Sequence, residues 1–315
     1  MQGVFMKYRE LGRTGMKFSE IAFGAWQIGG APFWESKGEK ASMEAISAAL
    51  KANINIFDTA PVYGFGRSEE LIGKALKPYR DNIFIATKCG LRWKKEDLAT
   101  LYRDLKPKSI REEVELSLRR LQTDRIDLYQ IHWPSADDPI GHTMEELAKL
   151  KEEQKIMAIG VSNFSLPLLR EAAGIAPIDS IQPKYNLLER EIDDELLPFC
   201  AQEGIGVLAY SPLASGLLSG KYNSSSAFND WRGKGNMGLF KKEKLADAFK
   251  RVGKLSKIAE ERGENLLHLA LNWVLSNKAV TAALVGVKDG DQLRQNAKAL
   301  IKPLSEELKA ELEAV

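Results

Sequence analysis

Short apolar runs alternate with amphipathic stretches along nearly the whole chain. Residues 54–59 (INIFDT) are followed by RSEELIGKAL, residues 82–88 (NIFIATK) by SIREEVELSLRRL, and residues 125–132 (RIDLYQIH) by TMEELAKLKEEQK. Near-continuous apolar runs are typical of strands that a parallel sheet buries on both faces, whereas apolar residues at i, i+3 and i+4 are typical of helices. Eight such pairs of strand and helix follow one another in the sequence.

This alternation predicts an α/β fold, and more specifically a (β/α)8 TIM barrel with long loops at the carboxyl-terminal face. Eight units in 315 residues fit one barrel domain that covers residues 1–315. An open doubly wound sheet is disfavoured because no G-x-G-x-x-G turn follows the first strand, where FGAWQIGG is the nearest sequence. Residues 92–108 and 219–240 interrupt the alternation, and we expect functional loops or mobile lids there. The final LSEELKAELEAV predicts a helix packed on the outside.

Composition and charge exclude several classes of protein. The net charge is +2 with both signs interspersed, so the basic patch of a nucleic-acid binder is missing. The two cysteines, Cys89 and Cys200, have no paired spacing, which argues against a disulfide framework and against a metal site. Because residues 1–10 lack an apolar signal core and no apolar run is long enough to span a membrane, we expect a soluble protein of the cytoplasm.

Four polar residues, Asp58, Tyr63, Lys88 and His132, each stand at the end of an apolar run or on the turn after it. In a barrel the carboxyl ends of the strands form one face, so these four side chains should converge there. A single charged residue at a strand end is usually the solvated start of a loop, but these four together have the types that general acid catalysis requires. The sequence therefore predicts a proton-transfer site at this face.

The residue types suggest a role for each of the four. The Tyr63 hydroxyl would be the proton donor, and a Lys88 ammonium about 4 Å away would lower the pKa of Tyr63 by about three units before desolvation opposes the shift. Asp58 would keep Lys88 charged and oriented. His132, next to Trp133 in QIHWP, would donate a hydrogen bond to a substrate oxygen as a neutral imidazole.

The segments FDTAPVYGFGRSEELIGKAL, ATKCG, DLYQIHWP, GVSNF and AYSPLASGLLSGKY resemble, in order and spacing, those of the aldo-keto reductase superfamily. The resemblance covers nearly the whole chain and is strongest to the bacterial branch related to the voltage-gated potassium channel β subunits. It implies an NAD(P)H-dependent carbonyl reductase in which Tyr63 is the general acid, Lys88 and Asp58 tune it, and His132 positions the carbonyl. These implied roles agree with those suggested by the residue types.

The same resemblance implies where the cofactor lies. The nicotinamide would stack on Tyr210, and its carboxamide would be bound by the ends of GVSNF and IQPKYN. The pyrophosphate would follow AYSPLASGLLSGKY under the 219–240 segment, and the adenosine end would meet GVKDGDQLRQN. The implied cofactor-binding residues are Ala25, Trp26, Asp58, Ser162, Asn163, Gln182, Tyr210, Ser211, Pro212, Leu213, Gly216, Leu218, Lys221, Arg232, Gly286, Val287, Lys288, Gln292, Gln295 and Asn296.

NADPH is expected rather than NADH, because Lys288 could pair with a 2′-phosphate as a point charge. Two positions of the adenosine segment depart from the family pattern: Gln295 stands where an acidic residue is common, and Asp289 where a basic residue is frequent. An aromatic rim at the mouth of the barrel suits apolar aldehydes or ketones. The implied substrate pocket consists of Trp26, Tyr63, Trp93, His132 and Trp133.

Two other functions remain open from the sequence. A barrel aldolase would form a Schiff base at Lys88 and would be trapped by borohydride without a nicotinamide, but Asp58 should keep Lys88 protonated. A redox-sensing accessory protein would hold NADPH tightly, would copurify with it and would release product far more slowly than it reacts. The expected partner is in each case a small carbonyl compound, not a nucleic acid or a membrane, and the chain is compatible with a monomer or an oligomer.

Overall fold

The computed structural model describes residues 6–234, 238–301 and 303–315. The start of the amino-terminal segment, residues 1–5, and residues 235–237 of the 219–240 segment lie outside the described residues. The strands, in chain order, are β1 (Tyr8–Glu10), β2 (Lys17–Ser19), β3 (Ile21–Gly24), β4 (Ile56–Asp58), β5 (Phe84–Cys89), β6 (Leu91–Trp93), β7 (Leu101–Arg103), β8 (Ile126–Ile131), β9 (Ile156–Ser162), β10 (Ser180–Gln182), β11 (Gly206–Tyr210) and β12 (Val280–Gly286). The α-helices are α1 (Glu39–Lys51), α2 (Arg67–Leu76), α3 (Pro107–Leu121), α4 (Ile140–Glu152), α5 (Leu166–Ala173), α6 (Leu196–Glu203), α7 (Lys242–Glu261), α8 (Leu266–Ser276), α9 (Gly290–Ala297) and α10 (Glu306–Glu313).

Eight of the strands form a closed parallel barrel in the order β3, β4, β5, β8, β9, β10, β11 and β12. Strand β12 closes the ring by pairing with β3, for example Leu284 with Ala22. Each barrel strand is followed by at least one α-helix, which returns the chain to the same end of the barrel. The predicted (β/α)8 TIM barrel is confirmed.

Side chains of the barrel strands alternate between an inner and an outer face. The inner face holds small and aliphatic residues, and the antiparallel hairpin β1–β2 closes its amino-terminal end because Leu11 and Phe18 pack into the same cluster. The helices cover the outer face. With one end filled, open space is left at the carboxyl ends of the strands. The inner cluster also contains Ala22, Ile56, Ala86, Leu128, Ala158, Leu208, Ala282 and Leu284.

The two segments predicted as long loops contain regular structure. Within residues 92–108, strands β6 and β7 form an antiparallel hairpin in which Leu91 pairs with Arg103. The hairpin starts at Gly90, whose φ of +84° favours glycine. The described part of residues 219–240 contains two short 3-10 helices, Trp231–Lys234 and Gly238–Phe240. Strands and turns of this length carry no periodic pattern, so the sequence did not predict them.

The carboxyl-terminal helix α10 packs against α7 and buries Leu312, as the LSEELKAELEAV pattern predicted. It begins after Ser305, whose hydroxyl oxygen accepts a hydrogen bond from the backbone N–H of Leu308 at 3.2 Å and thereby caps the helix. In the described parts of the chain, no helix combines the length and the apolar character that crossing a membrane requires.

Candidate active site

A cavity of about 710 Å³ opens at the carboxyl-terminal end of the barrel, a volume within the range of small-molecule and cofactor sites. Asp58 at the end of β4, Tyr63 in the turn that follows, and His132 just after β8 all line it. Lys88 points inward from β5 and is completely buried, in contact with Asp58 and Tyr63. The four residues from separate strand ends therefore converge at one site.

The Lys88 ammonium lies at the centre of these four residues. Its Nζ donates to Asp58 Oδ2 at 2.7 Å and to the carbonyl oxygen of Thr59 at 2.9 Å, and lies 3.4 Å from the hydroxyl oxygen of Tyr63. These contacts use the three donors of an ammonium. Burial lowers the pKa of Lys88, but Asp58 and then Tyr63 raise it, so that the pKa lies above its ordinary value. Lys88 is therefore a cation that is fixed by a carboxylate and faces Tyr63.

The expected lowering of the Tyr63 pKa is wrong. Burial raises the pKa of Tyr63 more than Lys88 lowers it, and Asp58 raises it further, so that the pKa lies above its ordinary value. The distance to Lys88 is close to the one assumed from the sequence, but the extent of burial is a tertiary property that no local pattern contains. Tyr63 consequently keeps its proton near neutral pH, which is the state that a general acid requires.

His132 lies beside Tyr63 at the rim of the barrel. The two rings meet edge to face with 5.8 Å between centroids. The backbone of His132 is fixed on both sides, because its N–H donates to the Cys89 carbonyl oxygen at 3.0 Å and its carbonyl oxygen accepts from Asn163 Nδ2 at 3.0 Å. Burial and then the Lys88 charge hold the pKa of His132 well below its ordinary value. The imidazole is therefore neutral near neutral pH and retains one N–H.

Two buried glutamines contact the second oxygen of the Asp58 carboxylate. Gln182 Nε2 donates to Asp58 Oδ1 at 2.9 Å, and Gln130 Nε2 donates to the same oxygen at 3.1 Å. Gln182 Nε2 also donates to Gln130 Oε1 at 3.1 Å. Gln130 was missed from the sequence, although its place two residues before His132 puts both side chains on the same face of β8.

Most residues that the resemblance assigned to the cofactor line this cavity. They come mainly from the carboxyl ends of β9 to β12 and from the loops that follow, and Tyr210 Oη joins two of these ends by donating to Asn163 Oδ1 at 2.8 Å. All of them line the same cavity as Tyr63 and His132. They are Trp26, Asp58, Ser162, Asn163, Gln182, Tyr210, Ser211, Pro212, Leu213, Gly216, Lys221, Arg232, Gly286, Lys288, Gln292, Gln295 and Asn296.

Three residues of the implied cofactor set are placed elsewhere. The side chains of Ala25, Leu218 and Val287 are buried in the hydrophobic core and are not among the described residues that line the cavity. Ala25 contributes through its backbone, because its N–H donates to the carbonyl oxygen of Asp58 at 2.8 Å and fixes the end of β4 against β3.

The loop after β11 follows a path that needs left-handed backbone conformations. Ser211, Ser215 and Gly216 have φ values of +52°, +54° and +99°, a region in which only glycine is free of strain. Two side chains from outside the loop hold its carbonyl groups. Asn186 Nδ2 donates to the carbonyl oxygen of Ser211 at 3.1 Å, and Arg232 Nη1 donates to that of Ser215 at 3.1 Å. The loop is thereby fixed along one wall of the cavity.

The 219–240 segment reaches across the cavity to the loop after β3. The Trp231 backbone N–H donates to the carbonyl oxygen of Phe33 at 3.2 Å, and the two rings meet with 5.4 Å between centroids. Arg232 pairs with Asp230 at 2.8 Å, and its guanidinium lies 5.4 Å from the centroid of the Trp34 ring. The two segments together enclose the part of the cavity next to the β11 loop.

The opposite part of the cavity, next to Tyr63, is apolar. Trp93, which the sequence placed in the substrate pocket, is not among the described lining residues; its ring packs on Phe65 with 5.4 Å between centroids. The hairpin β6–β7 instead presents its leucines to the cavity. The apolar lining residues are Trp26, Phe33, Val62, Leu91, Leu101, Trp133 and Trp231.

Several charged and polar lining residues were missed from the sequence. Gln27 and Lys37 come from the irregular segment after β3, where no motif marks them. Lys184 lies two residues after Gln182, so the two-residue alternation of a strand could have identified it as a lining residue. It pairs with Glu189 at 2.5 Å. Residues on loops are found from the sequence only where a strand pattern carries through into the loop.

Comparisons with known proteins agree with the geometry of the site. The aldo-keto reductase YhdN of Bacillus subtilis (strain 168) is 42% identical over 91% of this chain and 87% of that protein. The NADH-specific methylglyoxal reductase of Escherichia coli (strain K12) is 36% identical over 96% of this chain and 95% of that protein. A probable voltage-gated potassium channel subunit beta of Arabidopsis thaliana is 32% identical over 94% of this chain and 91% of that protein.

The solved structure of the glycerol dehydrogenase AKR11B4 from Gluconobacter oxydans is similar along the whole barrel. It covers 100% of this chain and 95% of its own, with a TM-score of 0.88 and 38% identity. The model of the aldo/keto reductase family matches residues 20–315. The resemblance inferred from the sequence is confirmed, and the chain belongs to the aldo/keto reductase family of oxidoreductases.

Proposed function

We propose that the protein is an NADPH-dependent reductase of aldehydes and ketones in which Tyr63 is the general acid. The observation that carries the proposal is the position of the Lys88 ammonium between the Asp58 carboxylate and the Tyr63 hydroxyl, with the His132 ring beside Tyr63. A buried cation next to a buried phenol stabilises the phenolate that forms when the proton leaves. This arrangement serves a reaction in which a carbonyl oxygen gains a proton.

Tyr63, Lys88 and His132 each have a separate role in the proton transfer. Tyr63 holds its proton until negative charge develops on the carbonyl oxygen, and the proton then passes from the Tyr63 hydroxyl to that oxygen. Lys88, at 3.4 Å, stabilises the resulting phenolate. The neutral His132 donates its N–H to the carbonyl oxygen and orients it, while the apolar wall excludes water.

The lining of the cavity fits a nicotinamide dinucleotide. Five cationic side chains line it, those of Lys37, Lys184, Lys221, Arg232 and Lys288. Two buried polar atoms, Gln27 Oε1 and Trp34 Nε1, have no hydrogen-bond partner within the described parts of the chain. Such groups are complementary to a long ligand with phosphates. When bound, the cofactor supplies the hydride. The residues that would hold it are Ser162, Asn163 and Gln182 at the carboxamide, Lys221 and Arg232 at the pyrophosphate, and Lys288 at the adenosine end.

The preference for NADPH is supported by the surroundings of Lys288. Its Nζ lies 5.3 Å from the centroid of the Trp34 ring, and its backbone N–H donates to Gln292 Oε1 at 2.9 Å. The neighbouring Asp289 pairs with Lys37 at 2.6 Å, so its negative charge is compensated and does not repel a 2′-phosphate. The Escherichia coli relative is named as an NADH-specific enzyme. Both cofactors therefore belong in the test.

A Schiff-base aldolase is disfavoured by the pairing of Lys88. A nucleophilic amine must lose its proton, whereas the Asp58 carboxylate at 2.7 Å and the Tyr63 hydroxyl keep the pKa of Lys88 above its ordinary value. The redox-sensing accessory function is the second candidate, because the contact of Trp231 with Phe33 closes the 219–240 segment over the cavity and would slow cofactor release.

The test compares wild type with Tyr63→Phe in NADPH oxidation, with 4-nitrobenzaldehyde as the acceptor and NADH in parallel. Tyr63→Phe should lose activity by about a hundred-fold to ten-thousand-fold, as expected for removal of a general acid, and should still bind NADPH. Tyr129→Phe is the control, because Tyr129 is a buried tyrosine on the outer face of the barrel and is not among the described residues that line the cavity. A wild type that binds NADPH but reduces nothing would favour the accessory function, and one that binds neither cofactor would refute the proposal.

A further inference from the structure

Gln130 lies within strand β8, in the sequence DLYQIH, and its side chain is completely buried inside the barrel. It is not among the described residues that line the cavity. The register places it opposite Gly160 of β9, where a Cβ atom would lie 2.8 Å from Gln130 Cγ. The glycine therefore makes room for the glutamine, and the barrel holds a space for an amide below the cavity floor.

The hydrogen bonds of Gln130 fix the orientation of its amide. Asp58 as a carboxylate only accepts, so the group that faces Asp58 Oδ1 at 3.1 Å must be Nε2. Oε1 then faces Gln182 Nε2 at 3.1 Å, and Gln182 Nε2 also donates to Asp58 Oδ1 at 2.9 Å. The three side chains form a closed ring of hydrogen bonds. No other orientation of the Gln130 amide satisfies both neighbours.

This ring supports the oxygen of Asp58 that Lys88 does not contact. Lys88 Nζ donates to Oδ2 at 2.7 Å, so that the two glutamine amides supply the donors for Oδ1 in a place that water does not reach. A buried carboxylate stays ionised only where donors or cations surround it. Because Gln130 holds Asp58 and Asp58 holds Lys88, Gln130 also affects the position of Lys88 relative to Tyr63.

We propose that Gln130 is a positioning residue of the reductase, which holds the Asp58 carboxylate in line with Lys88 so that Lys88 faces Tyr63. The inference rests on the proposed function of this site. Gln130 is not among the described residues that line the cavity. It contacts Asp58 and Gln182, and so acts through them and not directly on the substrate or the cofactor. The titratable groups that face Asp58 are Lys88 from β5 and Tyr63 from the turn after β4, with His132 beyond Lys88; Gln182 from β10 is uncharged.

Gln130→Leu tests the donor, because leucine fills a similar volume without a hydrogen bond. With NADPH and 4-nitrobenzaldehyde, kcat should fall about ten-fold, the order expected for the loss of one hydrogen bond to a charged group. Because leucine does not titrate, this variant is the reference for the pH series of the next one. The affinity for NADPH, measured by quenching of tryptophan fluorescence, should change less than three-fold.

Gln130→Glu tests the same contact with a side chain that titrates. The protonated side chain donates to Asp58 Oδ1 as the amide does, whereas the ionised one places two carboxylates side by side. The activity of Gln130→Glu should therefore approach that of wild type at low pH and fall as the pH is raised. A merely structural role would shift the activity of both variants equally at every pH.

Ser180→Ala is the matched control, because Ser180 is also a buried polar side chain inside the barrel and lies outside the ring. It should keep the activity and the pH profile of wild type. The inference is overturned if Gln130→Leu keeps the kcat and pH profile of wild type, if its whole loss lies in NADPH affinity, or if the two variants respond to pH alike. Failure of the proposed function is distinguishable, because the wild type itself would then reduce nothing.

Discussion

Two groups of buried polar side chains lie back to back on strand β5, because successive residues of the strand point to opposite faces. Lys88 points into the barrel and contacts Asp58. The inner cluster consists of Asp58, Tyr63, Lys88, Gln130 and Gln182. Thr87 and Cys89 point outward to helices α2 and α3 and belong to an outer cluster. The outer cluster consists of Glu69, Thr87, Cys89, Glu113, Arg120 and Tyr129.

The outer cluster is as deeply buried as the inner one, and both of its glutamates are hydrogen-bonded. Glu69 accepts from Thr87 Oγ1 at 2.7 Å and pairs with Arg120 at 2.5 Å. Glu113 accepts from the backbone N–H of Gly90 at 3.0 and 3.2 Å. Burial raises the pKa of Glu113 to about 8, against the lowering effect of the Gly90 N–H. Among the described residues that line the cavity, no member of the outer cluster is present.

The comparison shows that a shifted pKa does not by itself identify a catalytic residue. Glu113 and Tyr63 both have raised pKa values caused mainly by burial. They differ in that Tyr63 lines a cavity, whereas Glu113 is enclosed by the barrel and its helices. In the inner cluster a cation also stands where new negative charge would form. Access and matched charge, rather than burial, distinguish the site from structural support.

The largest expected effect is that of Lys88→Met. Without the ammonium no cation stabilises the phenolate of Tyr63, and kcat should fall by about a thousand-fold. The variant also leaves Asp58 buried without its cation, which should cost about 3–5 kcal/mol of unfolding free energy. The double variant Asp58→Asn with Lys88→Met should recover most of the stability and none of the activity, as measured by urea unfolding and NADPH oxidation. Activity within ten-fold of wild type in Lys88→Met would remove the inner cluster from catalysis.

Arg120→Met is the counterpart in the outer cluster. It leaves the completely buried Glu69 without its cation and should lower the free energy of unfolding by about 2–3 kcal/mol. Because the outer cluster has no access to the cavity, kcat of the folded variant should stay within about three-fold of wild type. Arg119→Met, at the exposed neighbouring position, is the control for both measurements. A large fall in kcat with unchanged stability would contradict the division into two clusters.

The two clusters also show what the sequence contains and what it lacks. The barrel and the convergence of Asp58, Lys88 and His132 were predictable because both follow from apolar runs and from the polar residues at their ends. The sign of the Tyr63 pKa shift was not predictable, since it depends on how much of the ring the fold buries. The hairpin β6–β7 was also not predictable, because its pairing depends on the turn at Gly90 and on packing against the cavity wall. Patterns along one strand are local, whereas burial and short pairings are set by the whole fold.

Glu113→Gln should give an effect that appears only at higher pH. The unfolded carboxyl group loses its proton near its ordinary pKa of about 4.3, whereas the folded one keeps it up to about pH 8. Stability of wild type should therefore fall as the pH rises from about 4 to 8, and the glutamine variant should lack this fall. The amide oxygen can still accept from Gly90. The difference in unfolding free energy should be near zero at pH 4 and reach about 2–4 kcal/mol in favour of the variant at pH 9.

Urea unfolding at a series of pH values measures this difference. Glu145→Gln, an exposed position on α4, controls for the loss of one carboxylate. A difference between Glu113→Gln and wild type that stays constant from pH 4 to pH 9 would mean that the buried carboxyl group is not the one that titrates in the folded protein.

The smallest effect concerns the hairpin β6–β7, which borders both clusters. It begins at Gly90, which Glu113 of the outer cluster holds, and it presents Leu101 to the cavity beside the inner cluster. Leu101→Ala should raise KM for 4-nitrobenzaldehyde about five-fold with little change in kcat, because a partly exposed apolar wall contributes to binding rather than to proton transfer. A three-carbon aldehyde, which is too short to reach the wall, should show no change. Leu98→Ala is the matched control, since Leu98 packs on the same aromatic cluster without lining the cavity. An equal rise in KM for both aldehydes would mean that Leu101 acts on the inner cluster itself, and the hairpin would then connect the two clusters instead of only bordering the site.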